Sequence, residues 1–93
     1  MNETEVLILG NSQNNATEKT ILGDFQEYST TIEIGDYSFE ITKRLFINYI
    51  EPLINMDGYL RIGDLLYKVL KIQTFITYQE FWLYLLDRQS EVV

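Results

Sequence analysis

Two stretches of this chain alternate apolar and polar residues around a central Gly-Asp pair: TIEIGDYSFEI at 31–41 and YLRIGDLLYKV at 59–69. Alternation marks a half-buried strand, because successive side chains of an extended chain point to opposite faces. A two-residue Gly-Asp connection between such runs predicts a tight type II′ hairpin, in which glycine takes the positive φ of the first central position. In that register Ile34 pairs with Tyr37 and Ile32 with Phe39, so Ile32, Ile34, Tyr37, Phe39 and Ile41 form an expected core face. Thr31, Glu33, Ser38, Glu40 and Thr42 form the wet face. The second hairpin is expected to bury Leu60, Ile62, Leu65, Tyr67 and Val69. Its other face, Tyr59, Arg61, Leu66, Lys68 and Leu70, is half apolar and calls for cover from the rest of the domain or from another subunit. Across the eleven aligned positions Ile, Gly and Asp alone are identical, so the echo reads as convergent hairpin chemistry rather than a structural repeat.

The remaining elements follow from the same patterning. Glu5 to Leu9, EVLIL, is a short apolar run ended by Gly10 and predicts a first strand. The Asn-rich stretch 11–23 that follows predicts a long polar loop. Leu45, Phe46, Ile47, Tyr49 and Ile50 predict an extended segment ending near Ile50, since Pro52 follows and disfavours helix before it. Asn55-Met56-Asp57-Gly58 is a turn signal at the start of the second hairpin. In TYQEFWLYLLDRQ the composition predicts a final strand after a turn near 77–80, while Tyr78, Phe81, Trp82, Leu85 and Leu86 also match helical spacing, which keeps a helix over 78–88 as the alternative. The sum is a single all-β domain over 1–93, a small SH3-like barrel of five to seven short antiparallel strands with a long polar loop.

Composition agrees with a folded β domain: 46% of residues are hydrophobic and 14% aromatic. The net charge of −7 is unevenly placed, because residues 1–40 hold eight acids against the single base Lys19, whereas 41–93 balance six against six. Without a basic stripe, sequence-specific nucleic-acid binding is not expected. An acidic half can instead work beside DNA by repelling it. No apolar run approaches the ~20 residues of a membrane-spanning helix, and the acidic start MNETE does not resemble an export signal.

The chemistry is bounded by what is missing. The chain has no His and no Cys, which excludes Ser-His and Cys-His catalysis, thiolate zinc sites and disulfides. Asp36, Asp57 and Asp64 sit in turns, where Asp serves backbone geometry. No catalytic residue, cofactor or metal site is expected. If residues 81–84 are a strand, Phe81 and Leu83 face one way and Trp82 and Tyr84 the other, so Trp82 and Tyr84 are candidate subunit contacts. Glu33 and Glu40 occupy the hairpin positions matched by Arg61 and Lys68, an opposite-charge set able to pair across a sheet or between subunits.

MDGYLRIGDLLYKVLKI followed by the aromatic TYQEFWLYLL resembles the C-terminal half of tailed-bacteriophage head-completion proteins of the stopper or head-tail joining type. The matching features are Asp57-Gly58, the strand with Leu60 and Ile62, the Gly63-Asp64 turn, Tyr67-Lys68-Val69, and the final run from Trp82 to Leu86. The resemblance implies a non-enzymatic virion protein made in the host cytoplasm, a homo-oligomeric and by family dodecameric ring in the neck. It would contact portal or adaptor and tail proteins while DNA passes without sequence-specific binding. It also implies that the long loop, with Asn14, Asn15, Glu18 and Lys19, gates the channel or docks a partner. Two other classes fit the same composition: a small acidic inhibitor or DNA mimic, and a monomeric peptide-binding barrel.

Overall fold

A computed structural model describes residues 3–10 and 19–88 of the chain. They form six strands: β1 (Thr4–Gly10), β2 (Lys19–Ile34), β3 (Tyr37–Ile47), β4 (Tyr59–Ile62), β5 (Leu65–Thr74) and β6 (Gln79–Arg88). Neighbouring strands are antiparallel, and the order β1-β2-β3-β6-β5-β4 closes because β4 returns to pair with β1. The protein is all-β, a small closed barrel, and β6 is a strand rather than the alternative helix. Among the described residues no helix is long and apolar enough to cross a membrane.

Both hairpins have the expected register. Ile34 faces Tyr37 and Ile32 faces Phe39 in the first; Ile62 faces Leu65 and Leu60 faces Tyr67 in the second. Gly35 and Gly63 have φ of 62° and 64°, while Asp36 and Asp64 after them stay at negative φ, which is the type II′ pattern. The turn before β4 also forms: Gly58 N–H donates to Asn55 C=O at 2.9 Å, with Asp57 at φ 62°. The core is built from one face of each strand, with Val6, Ile8, Ile21, Leu45, Leu60, Tyr67, Val69, Phe81 and Leu83 all buried. On β6 the parity is as expected, Phe81 and Leu83 inward and Trp82 and Tyr84 half-buried outside.

Several expectations need correction. The predicted loop 11–23 is too long, because β2 already begins at Lys19. Ile21 is buried opposite Val6 of β1, a pairing that the polar residues around it hide in the sequence. Gly23 is a strand residue, not a loop breaker. A Cβ there would lie 2.7 Å from Leu45 Cδ1 and 3.1 Å from the Phe46 carbonyl oxygen, so the glycine lets two strands approach closely. Gly23→Ala is accordingly expected to lower stability by about 2 kcal/mol, the scale of overpacking a filled core. The urea midpoint reads this directly, and a midpoint equal to wild type shows that Leu45 steps aside without cost.

The segment expected to end near Ile50 is the continuation of β3 and stops at Ile47. The last turn lies at 75–78 rather than 77–80, closed by Phe75 N–H donating to Tyr78 C=O at 2.9 Å. The half-apolar face of the second hairpin is covered in the monomer, since Leu66 and Leu70 are both buried. Irregularities in the β5–β6 register fall at Leu66/Tyr67 and Val69/Lys71, breaking the in-out alternation so that consecutive residues are both buried.

The largest departure is the first hairpin. Of its expected core face, Ile41 alone is buried; Ile32 and Phe39 are half-buried, and Ile34 and Tyr37 are 47% and 73% exposed. β1 pairs with β2 no further than Gly23, and the β3–β6 register runs no further than Lys43. Beyond those points β2 and β3 continue together as a two-stranded arm, set off by a bulge between Glu27 and Thr30. Alternation defined two faces of this ribbon but did not supply anything to cover one of them.

Candidate interaction surfaces

The outer face of β2, β3, β6 and β5 is organised around Trp82. Cross-strand pairing sets Arg44 of β3 on one side of it and Lys71 of β5 on the other. The Lys71 ammonium lies 4.3 Å from the indole ring centroid. The Arg44 guanidinium lies 4.5 Å from the Tyr28 ring and 4.9 Å from the Phe46 ring, and its Nε donates to Gln26 Oε1 at 3.1 Å. Tyr28 and Trp82 meet at 5.2 Å between centroids. The Trp82 indole N–H donates to Glu80 Oε2 at 2.8 Å, and Arg44 approaches the same oxygen at 3.6 Å. Cations over aromatic faces contribute about 0.5–1 kcal/mol each at half-exposed sites, and here they fix the orientation of the rings. The Tyr28, Phe46 and Trp82 rings thus each lie against one of the chain's own cations.

The other sequence candidates separate into distinct places. Glu33 and Glu40 are exposed on the arm and join no ion pair among the described residues. Arg61 is on β4 and Lys68 on β5, strands that do not neighbour β2 or β3 except through β1 and β6. The matched charges therefore do not pair across the sheet within one chain. Lys68 instead lies 3.7 Å from Asp57, directly beside Tyr84 in the β5–β6 register. Phe39 of the arm meets Tyr84 edge-on at 5.1 Å. Asn14, Asn15 and Glu18 lie outside the described residues.

Lys19 is not a loop residue. Its ammonium lies 2.9 Å from Glu51 Oε1 and 5.9 Å from the Tyr49 ring centroid. Glu51 is 1% exposed and is the hub of a network that sequence reasoning missed. Tyr49 O–H donates to Glu51 Oε1 at 2.7 Å and Leu53 N–H to Oε2 at 3.2 Å. The Glu51 N–H donates to Gln79 Oε1 at 2.7 Å, and Gln79 Nε2 donates to Thr74 Oγ1 at 3.0 Å. This network anchors the crossing between β3 and β4 to the starts of β2 and β6. Burial pushes the Glu51 carboxyl upward, but the bonds from Tyr49, Lys19 and Leu53 outweigh it and hold the pKa below the ordinary carboxylate value. Tyr49 is pushed up to about 12, by burial first and then by its bond to the Glu51 carboxylate. Tyr49, Glu51 and Leu53 are close in sequence, but Lys19 and Gln79 join them only when the barrel closes, so no spacing signals the whole site.

A groove of about 360 Å³ runs over Gly23, lined among others by Leu22, Asp24, Phe46, Asn48 and Tyr78. Beside it the 75–78 turn stacks Phe75 on Tyr78 at 4.5 Å and leaves Ile76 96% exposed.

These features define a class: a small closed antiparallel β-barrel with a projecting acidic arm and a cation-flanked aromatic outer face. A scan against protein-family models finds no matching family, and a search of curated proteins finds no matching relative.

Proposed function

We propose that the protein is a structural ring subunit of a virion head-tail connector, of the head-completion or stopper type, which seals the packaged genome and docks the tail. The observation that carries this reading is the arm, whose apolar Ile34 and Tyr37 lie outside any core of their own chain and call for a neighbouring subunit. The barrel is small, and a ring would enlarge its buried surface without a larger core. The acidic first forty residues, with exposed carboxylates on Glu3, Glu5 and Glu27 away from the arm tip, suit a conduit along which DNA slides without sticking. The order of hairpin, Tyr67-Lys68-Val69 strand and final aromatic strand adds the resemblance to head-completion proteins described above.

The expected result is co-sedimentation of the purified protein with a portal-adaptor complex from a tailed phage whose genome encodes this chain, and its presence in the neck of that virion. The same exposed carboxylates favour a second reading, an acidic inhibitor that occupies the DNA site of an enzyme. Tight binding to a DNA-processing enzyme, competed by DNA, together with no binding to the connector, overturns the ring reading in favour of the second.

A further inference from the structure

We propose that the arm tip of one copy of this chain docks on the Trp82 face of a second copy, a head-to-tail contact between two different patches. It rests on the ring-subunit reading and names the surfaces by which successive copies meet. The tip carries Ile34 and Tyr37, 47% and 73% exposed, flanked by the exposed acids Glu33, Asp36 and Glu40. None of these acids joins an ion pair among the described residues. The receiving face offers aromatic surface at Trp82 and Tyr84 with two cations, Lys68 and Lys71, on the neighbouring strand. Lys71 meets the Trp82 ring rather than a carboxylate, and the Asp57 partner of Lys68 is 3.7 Å away and itself 69% exposed.

Charge decides which patches meet. Two acidic arms repel each other, whereas arm on face brings Glu33, Asp36 and Glu40 towards Lys68 and Lys71 and covers the apolar tip. The chain does not satisfy the contact internally. Phe39 reaches Tyr84 of its own barrel, but the tip beyond it remains uncovered. A contact between two different patches leaves each copy with one free arm and one free face, so it propagates, and it forms a ring when the rotation per copy closes.

The chain lacks cysteine, so single cysteines can report the contact by disulfide trapping. Asp36→Cys chain is mixed with Gln73→Cys chain, a neighbour of Lys71 on β5 that leaves both cations in place, under mild oxidation, alongside a control mixture of Asp36→Cys with Thr77→Cys, a position in the exposed turn beside the groove. The mixed dimer of the first pair is expected to form faster than either homodimer and faster than in the control, and to slow as salt is raised. Adding Glu33→Lys and Glu40→Lys to the Asp36→Cys chain is expected to reduce trapping about tenfold, and Tyr37→Ala similarly, the scale of losing an interface anchor. These positions are exposed, and an unchanged β circular-dichroism spectrum confirms that each variant folds.

Trapping no faster than the control, or arm-to-arm homodimers of Asp36→Cys as the main product, overturns the proposal. Failed trapping with intact connector co-sedimentation removes this contact and leaves the role. Successful trapping without connector binding removes the role and leaves the contact.

Discussion

Glu51→Ala is expected to destabilise the protein by about 3 kcal/mol at neutral pH, although Glu51 lies in a loop between strands. The substitution strips acceptors from Tyr49 O–H and Leu53 N–H and leaves Lys19 without its carboxylate. Breaking a fully buried pair costs about 3–5 kcal/mol, and the half-exposed Lys19 moves the expectation to the lower end. Glu51→Gln keeps a carbonyl acceptor for Tyr49 or Leu53 and loses less.

The pH dependence follows from the two shifted groups. The folded state depresses the Glu51 pKa below its unfolded value of 4.5, so its contribution is present above that value and is lost as pH falls through the folded pKa. Tyr49 is raised from 10.0 to about 12, so its contribution is full below 10 and is lost as pH rises through 12. Urea midpoints of wild type should therefore hold between those limits and fall on both sides. Glu51→Ala should remove most of the acid limb specific to this site, and Tyr49→Phe the alkaline one. A Glu51→Ala midpoint within error of wild type at neutral pH, or an undiminished gap between the two proteins in acid, refutes the anchoring role of the network.

The second large effect contrasts two adjacent aromatic residues. Phe81→Ala should cost about 3–5 kcal/mol, because Phe81 is 0% exposed in the centre of the barrel and its loss leaves a cavity between strands that cannot collapse onto it. Trp82→Ala, one residue along, should cost less, about 1–2 kcal/mol, since it forfeits the Lys71 and Tyr28 contacts of a half-buried outer face and the indole hydrogen bond to Glu80. Its larger effect is expected in self-association. Equal losses of stability from the two substitutions would contradict the inward and outward parity of β6.

That parity was legible in the sequence, and so were both hairpin registers and the glycine turns. These are local properties. The strand period of two and the positive φ at Gly35 and Gly63 depend on residues within a few positions of one another. For the same reason Trp82 and Tyr84 were identifiable as a candidate surface before any fold was known.

The start of β2 was not legible. Ile21 is buried because Val6 of β1 lies opposite, and Gly23 is required because Leu45 of β3 presses on it. In sequence both residues sit in a polar stretch that reads as loop. The arm was misjudged for a related reason. Ile34 and Tyr37 have the alternation of core residues, but burial needs a second layer, and β1 and β6 both stop pairing before reaching them.

Local alternation and turn chemistry thus settled the two tight hairpins and the inward and outward residues of regular stretches such as 81–84, because they act over a few residues. Barrel closure decided the rest: which faces are covered, that the apolar arm tip is left outside, and that Lys19 and Gln79 reach the neighbouring Tyr49 and Glu51 from distant positions to complete one network. Burial and charge pairing depend on which strands become neighbours, and that neighbourhood exists only once the barrel has closed.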